Sequence, residues 1–253
     1  MILDDTVKIK ADTLSDYLTA TNENHNLHAE KEPHMMAMIH KMDRIFHEEI
    51  FEHEYDANAA TMLLAMNSYM MLSNSVHQAL SGHMVAVFPV ARAALESACY
   101  AFLTSSDEKM SSIWFDRGKS KTATSRCRDE FSVKKAARKL RAEYPELADY
   151  IDALYDSTIE YGAHPNIRSV SQHLKDKGLV DDVFRVFTLA GIYDVNSHEV
   201  NTSLLLCLEV GQAIVFLLSM SAKDHPLLKV RHEVFQSWID EKNAITSDFT
   251  DTM

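Results

Sequence analysis

Apolar residues recur at every third or fourth position along most of the chain, which is the spacing that places them on one face of a helix. The same spacing predicts helices over 33–54, 57–81, 83–104, 107–118, 122–143, 146–161, 197–222 and 226–243. Pro33 suits the first turn of the first of these helices. Residues 1–20 favour a short additional helix, and the polar residues 21–33 favour a loop.

The pattern changes between residues 167 and 190. The segments IRSVSQHL and VFRVFTLAG alternate or are rich in β-branched and aromatic residues, and KDKGLVDD between them is typical of a turn. We therefore predict strands at 167–174 and 183–190. The chain has only 6 Gly and 5 Pro, which favours few, long elements. The predicted fold class is all-α, a helical bundle of seven or eight helices with a small β-hairpin insert near 167–190.

The length of 253 residues is enough for one domain with a sizeable core. We expect a single helical domain over 1–253. It comprises an N-terminal helix and loop (1–32), a core bundle (33–222), a C-terminal helix (226–243) and a frayed tail (244–253). The methionines of the helices 33–54 and 57–81 are interpreted as core filler, since Met adapts to irregular gaps. They are Met35, Met36, Met38, Met42, Met62, Met66, Met70 and Met71.

The three cysteines have no spacing typical of a disulfide framework or a zinc site, and the acidic N-terminal residues do not resemble a signal peptide. We therefore expect a cytoplasmic protein. Two apolar stretches, Met84–Leu103 and Ser203–Met220, approach the length of a membrane span. Both contain ionisable or amide groups, which are costly in lipid, so we predict buried core helices and no membrane partner.

The first candidate site is Arg92 and Glu96, one turn apart on an otherwise apolar helix. Buried charges need partners because desolvation costs several kcal/mol per ion. The pair either ties helices together or lines a polar pocket for an anionic ligand. Glu209 lies among apolar residues and needs a cation, for which Arg92 is the expected partner.

The second candidate site is the stretch IEYGAHPNIRSVSQH, residues 159–173. His164 precedes a proline, which holds it extended and suits it to act as a general base or a phosphate contact. Glu160 is placed to orient it, and Asn166 is a further ligand-binding candidate. The alternative is a loop histidine that caps the preceding helix.

Arg168 and His173 have the R-x4-H spacing, which matches the R-x4-6-H signature of HEPN-type ribonucleases. In that family the arginine binds the scissile phosphate and the histidine helps to transfer the proton. On a predicted strand, however, residues five apart point to opposite faces, so the two side chains would not cooperate.

A dense basic run forms the third candidate site. Residues 117–141 contain ten Lys/Arg and two acids, a formal charge of +8, while the remaining 15 Lys/Arg and 35 Asp/Glu give −20. This run is suited to bind the phosphates of RNA or another anionic ligand, or the acidic face of a second subunit, unless it is only a solvated helix face. Phe131 is its one aromatic residue, which weakens the prediction of base stacking.

No motif points to a metal or a cofactor. The chain has no H-E-x-x-H and no glycine-rich phosphate loop, and the helix 33–54 has no Glu-x-x-His of the kind that di-iron bundles use. Its histidines and carboxylates are interpreted as the exposed face of an amphipathic helix.

The segments ALSGHMVAVFPVARAALESACYAFL, WFDRG and YGAHPN resemble a group of bacterial helical proteins of unknown function, over roughly residues 60–220. These proteins are in turn similar to abortive-infection and HEPN-like helical families. The resemblance implies a helical fold, with Arg92, Glu96 and His164 as the candidate constellation.

Two hypotheses follow. In the first, a polar pocket built by Arg92, Glu96, His164 and Glu209 binds a phosphate-bearing or other anionic ligand, with HEPN-like RNA processing as one form. In the second, the protein is a non-enzymatic homo-oligomer or partner-binding bundle, and the polar residues tie its helices together.

Overall fold

The computed structural model describes residues 12–52, 57–105, 107–163, 166–180 and 184–251. The helices are α1 (Leu14–Glu30), α2 (Met36–Ile45), α3 (Ala59–Leu80), α4 (Met84–Ser105), α5 (Glu108–Phe115), α6 (Lys121–Glu130), α7 (Val133–Arg141), α8 (Pro145–Thr158), α9 (Ile167–Ser171), α10 (His198–Met220) and α11 (His232–Asp251). Strands β1 (Leu174–Val180) and β2 (Phe184–Leu189) form an antiparallel hairpin. The prediction of an all-α bundle with a small β-hairpin is confirmed.

Helices α3, α4 and α10 form the centre of the bundle. Small side chains allow α3 and α4 to approach closely: Ser68 and Ser75 of α3 are buried and donate hydrogen bonds to backbone carbonyls of α4, at 2.8 and 3.1 Å. On the other side, α10 approaches α2 at Gly211, where an added Cβ would lie 2.0 Å from the Sδ of Met42. Helices α2, α4 and α10 bury the apolar faces that the periodicity predicted, but α3 packs through small residues and leaves most of its predicted apolar face exposed.

The turn between α3 and α4 joins three parts of the fold. Gly82 has φ +76°, and its carbonyl accepts a hydrogen bond from the backbone N–H of Tyr193 at 2.9 Å. Asn24 of α1 donates to the carbonyl of Tyr193 at 2.8 Å. An added Cβ at Gly82 would lie 2.4 Å from that same carbonyl oxygen, so only glycine fits this junction.

Local capping divides the chain more finely than the apolar pattern predicted. The predicted basic helix 122–143 is two helices, because Ser132 accepts a hydrogen bond from the Lys135 N–H and starts α7 anew. The predicted strand at 167–174 is wrong: Asn166 and Ser169 form a capping box, so residues 167–171 are helical and the strand begins at Leu174.

The two ends of the chain are also more helical than expected. Helix α1 extends to Glu30, through most of the stretch that was predicted as a loop. Helix α11 begins at His232 and extends to Asp251, so the prediction that the last helix ends at 243 is wrong. The predicted helix 33–54 is shorter as an α-helix, since a π-helical turn occupies Phe46–Phe51 after α2.

Helices α4 and α10 are long and apolar enough to cross a membrane by length and composition. In this fold they lie in the core, with 56% and 67% of their most apolar windows buried. The core helix of a globular bundle meets the same criterion.

Candidate functional site

Arg92 and Glu96 of α4 form a closed cluster with Tyr155 of α8. The Nε of Arg92 donates to Glu96 Oε1 at 2.9 Å, and a terminal guanidinium nitrogen donates to the Tyr155 hydroxyl at 2.9 Å. The hydroxyl lies 3.1 Å from the same Glu96 oxygen and donates to it. The guanidinium carbon lies 5.0 Å from the centre of the Tyr155 ring. The cluster therefore ties α4 to α8.

This cluster is half-buried, with 24% of the Arg92 side chain and 30% of the Glu96 side chain exposed. Burial, and then the Glu96 charge, raise the pKa of Tyr155, so its hydroxyl stays protonated and donates near neutral pH. Burial is the largest single effect and opposes the charged form of Arg92, but the hydrogen bonds and charges of Glu96 and Tyr155 together outweigh it and raise the pKa of the guanidinium. An anion at this site would have to displace Glu96 from Arg92.

Glu209 of α10 does not meet Arg92, so the expected pairing of these two residues is wrong. Its carboxylate pairs with Lys242 of α11 and accepts the hydroxyl hydrogen bond of Tyr150 from α8. Lys242 is only 3% exposed along its side chain. Burial, and then the Glu209 charge, raise the pKa of Tyr150. The three residues link α8, α10 and α11, which gives Glu209 a structural role.

The stretch 159–173 begins with a π-helical turn, Ile159–Ala163, that packs against α4. An added Cβ at Gly162 would lie 2.4 Å from the Cβ of Phe88, so glycine permits this approach. Phe88 and Arg92 are four residues apart on α4 and share one face. His164 lies outside the described residues, so its approach to Arg92 and Glu96 stays a prediction.

The other predicted residues of this stretch have local partners. Asn166 caps α9, accepting from the Ser169 N–H at 2.9 Å, and donates to the Glu160 carbonyl at 2.8 Å. Arg168 is exposed and pairs with the Glu160 carboxylate at 3.3 Å. His173 is buried, and its Nδ1 lies 2.6 Å from the Tyr193 hydroxyl.

Arg168 and His173 thus have different surroundings, one at the surface and one in the interior. No hydrogen bond joins their side chains in the part of the chain that the structure describes. Burial lowers the pKa of His173, which keeps the ring neutral near pH 7. The geometry gives no support to a cooperating R-x4-H pair.

The basic run 117–141 folds into helices whose outer faces carry the charge. On α7 the buried positions are Val133, Ala136, Ala137 and Leu140. Lys134 and Arg138 occupy the opposite, exposed face, one turn apart. We call the exposed, unpaired cations of α6, α7 and the preceding turn the basic surface; they are Arg117, Lys121, Arg126, Arg128, Lys134 and Arg138.

The remaining cations of the run have partners. Lys119 pairs with Asp116 at 2.7 Å, Lys135 with Glu130 at 2.8 Å, and Arg141 with two carboxylates of α8. The Nζ of Lys139 lies 5.0 Å from the centre of the Phe102 ring. For the six members of the basic surface, the described residues provide no carboxylate within 4.0 Å, so their charge is directed to solvent.

A cavity of about 390 Å³ opens between α5 and α6 at the edge of the basic surface. Lys109, Arg126, Ser112 and Thr122 line it, together with Asp116, whose charge is offset by Lys119. A volume of this size is within the range of small-molecule pockets. Phe115, at the end of α5, does not line the cavity but is 52% exposed.

Sequence reasoning missed Lys109 and Phe115, because both lie outside the dense basic run. It also missed Tyr150, Tyr155 and Lys242 as partners of buried charges. The pattern signals that such partners are needed, but helices far apart in sequence provide them. No group of three or more His, Cys, Asp or Glu side chains that would hold a metal occurs in the described ranges.

Membership of the helical group with the Arg-x-x-x-Glu helix and the His-Pro loop, and its HEPN-like similarity, both stay predictions. No protein-family model, curated protein or solved structure matches the chain.

Proposed function

We propose that the protein binds single-stranded RNA, or a similar chain of phosphates, through the basic surface. The observation that carries this proposal is the segregation of charge. Six exposed cations without a carboxylate partner lie on α6, α7 and the preceding turn, in a chain that carries −20 outside residues 117–141. A polyanion is repelled by the rest of the molecule and attracted to this surface.

The basic surface presents cations on both α6 and α7. Lys134 and Arg138 follow one another along the exposed face of α7, and Arg126 and Lys121 occupy α6 next to the cavity. Each phosphate that such a side chain neutralises releases a condensed counterion, which is the main source of sequence-independent affinity.

The cavity and Phe115 favour a single strand over a duplex. Unstacked bases bind by stacking on exposed aromatic rings, and each such contact contributes about 1–3 kcal/mol. Phe115 lies two residues before Arg117, so a base on its ring would bring the adjoining phosphate toward the basic surface. The cavity of about 390 Å³ between α5 and α6 adds the cations Lys109 and Arg126 beside this surface.

RNA cleavage is not part of this proposal, since Arg168 and His173 differ in exposure and His173 is bound to Tyr193. The Arg92 cluster is also a weaker candidate for binding an anion, because Glu96 already neutralises the guanidinium.

Fluorescence anisotropy with a labelled single-stranded RNA of mixed sequence tests the proposal. The double variant Lys134→Glu/Arg138→Glu removes two phosphate contacts. For a single strand, each neutralised phosphate contributes about 0.7 to the slope of log affinity against log salt. At about 0.1 M salt, each lost contact therefore weakens binding roughly fivefold, and two lost contacts weaken it about 25-fold.

The matched control is Lys223→Glu, which adds an acid in place of an exposed lysine outside the run. It is expected to change the affinity less than threefold, since only the overall field changes. Phe115→Ala is expected to weaken a single strand more than a duplex of the same length. Equal weakening by the double variant and the control would refute the basic surface as the binding site.

A further inference from the structure

Helix α3 differs from its neighbours in having no charged residue. Its 22 residues contain no Asp, Glu, Lys or Arg. Each of the other ten α-helices in the described residues contains at least one. A helix that is buried all round would explain this composition, but α3 is exposed along one face.

That exposed face is strongly apolar in its first half. The methionine face consists of Met62, Leu63, Met66 and Met70, which are 42%, 54%, 46% and 64% exposed. The sequence predicted these methionines to be core filler, and for these three that prediction is wrong. Four large apolar side chains at helical spacing form a contiguous patch of the kind that marks an interaction site.

A cavity of about 180 Å³ opens beside the methionine face, between α2 and α3. Met36, Phe46 and Leu72 form its apolar wall, Tyr69 and Ser73 of α3 also line it, and His40 and Asp43 of α2 are its ionisable lining residues. Tyr69 and Ser73 are three residues from Met66 and Met70 respectively, so the cavity adjoins the face. A dry cavity of about 150 Å³ accommodates a group of the size of benzene, so this one fits a single large apolar side chain.

We propose that the methionine face is the interface of a homodimer, in which a second copy of this chain covers it. The net charge of the chain favours a second copy as the molecule that covers this face. The chain carries −12, and most faces of two identical molecules would bring like charges together. An isologous contact places the same patch on both sides, so a patch without charge avoids that repulsion.

The composition of the patch also fits a second copy. A stable interface buries about 800 Å² per partner, with an apolar centre and a polar rim. The methionine face provides the centre, and the exposed polar residues Asn67, Ser73, Asn74 and His77 of α3 provide a rim. One apolar side chain of each copy's face enters the cavity of the other, which is how anchoring residues fill pockets at interface centres.

Sedimentation velocity of the full chain over a range of concentrations tests this proposal. The wild type is expected to be a dimer at low and at high salt, because its interface is apolar. Met66→Glu and Met66→Lys are each expected to raise the dissociation constant at least about 30-fold, which is the effect of losing an interface residue of about 2 kcal/mol. Each substitution occurs twice in an isologous interface.

Met66→Glu and Met66→Lys introduce opposite charges. Comparing them separates the cost of burying a charge at the interface from electrostatic repulsion between the two acidic copies. If the glutamate variant dissociates and the lysine variant stays dimeric, the effect comes from net charge and the proposal is refuted. The matched control is Val230→Glu, at an apolar residue outside α3 that is 84% exposed, and it is expected to remain a dimer. Met66→Gln, which adds no charge, serves if either charged variant melts early by circular dichroism, and it must also weaken the dimer.

A wild type that is monomeric at every concentration also refutes the proposal. Dimerisation is distinguishable from RNA binding, because the two surfaces share no residue. Met66→Lys is expected to leave RNA affinity within about threefold of the wild type, and Lys134→Glu/Arg138→Glu to remain dimeric.

Discussion

Replacing Lys242 with methionine removes the cation from the most buried ion pair described in the core. Lys242 is 3% exposed and Glu209 23% exposed along their side chains. The substitution keeps the length of the side chain but leaves Glu209 with only the Tyr150 hydroxyl. A carboxylate left in this environment has lost the partner that offset its desolvation.

The expected loss of stability follows from how deeply the Lys242–Glu209 pair is buried. Breaking a buried pair on one side costs about 3–5 kcal/mol, and the partial exposure of Glu209 places this case near about 3 kcal/mol. For a domain of this size, each kcal/mol lowers Tm by about 2–4 °C, so Lys242→Met is expected to lower Tm by about 6–12 °C. Replacing both partners, as in Lys242→Met/Glu209→Leu, is expected to recover most of that loss.

Thermal unfolding followed by circular dichroism measures both variants. The matched control is Lys41→Met. Lys41 of α2 pairs with Glu241, which is the neighbour of Lys242 on α11, but both side chains of this pair are exposed, 39% and 45%. This pair is expected to contribute less than about 1 kcal/mol. If Lys242→Met costs no more than Lys41→Met, or the double variant is less stable than the single one, the reasoning about the buried pair is refuted.

Two further predictions concern the junction at α3–α4 and the cavity at α2–α3. Gly82→Ala is expected to lower stability by about 2–3 kcal/mol in chemical denaturation, because its φ is positive and its Cβ meets the Tyr193 carbonyl. Gly118→Ala, with no atom within 4 Å of its Cβ, is the control and should change stability by less than about 0.5 kcal/mol. Burial, and then the hydrogen bond to Asp43, raise the pKa of Tyr69 to about 12. An unfolded tyrosine ionises near pH 10, so stability falls as pH rises from about 10 to 12, and Tyr69→Phe should reduce that slope. An unchanged slope would contradict the assignment.

The apolar periodicity was sufficient to predict the bundle, because helices α2, α4 and α10 bury the faces that it marks. On α3 it marked a face that is largely exposed. It did not predict where Ser132 and Asn166 restart the helix, since capping hydrogen bonds are local and leave the apolar pattern nearly unchanged. The residues after Asn166 have a composition typical of a strand. The capping box of Asn166 and Ser169 nevertheless stabilises a helix there.

The sequence marks the candidate residues but not their partners. The charge of the basic run is read directly from the sequence, but its division into paired and unpaired cations depends on Asp149, Asp152 and Phe102, which other helices bring to it. Likewise, the charge of Glu209 indicated that a cation was needed, while the choice of Lys242 depends on how α11 packs on α10. Periodicity marks which positions are apolar, but it does not show that the methionine face is left uncovered.

The dependence of RNA affinity on salt tests the central claim most directly. If the six cations of the basic surface each neutralise one phosphate of a single strand, the logarithm of the association constant falls with the logarithm of the salt concentration with a slope of about −4. The double variant Lys134→Glu/Arg138→Glu should bring that slope to about −3 or shallower. A wild-type slope between zero and about −1, or no binding at low salt, would contradict the proposal that this surface binds a chain of phosphates.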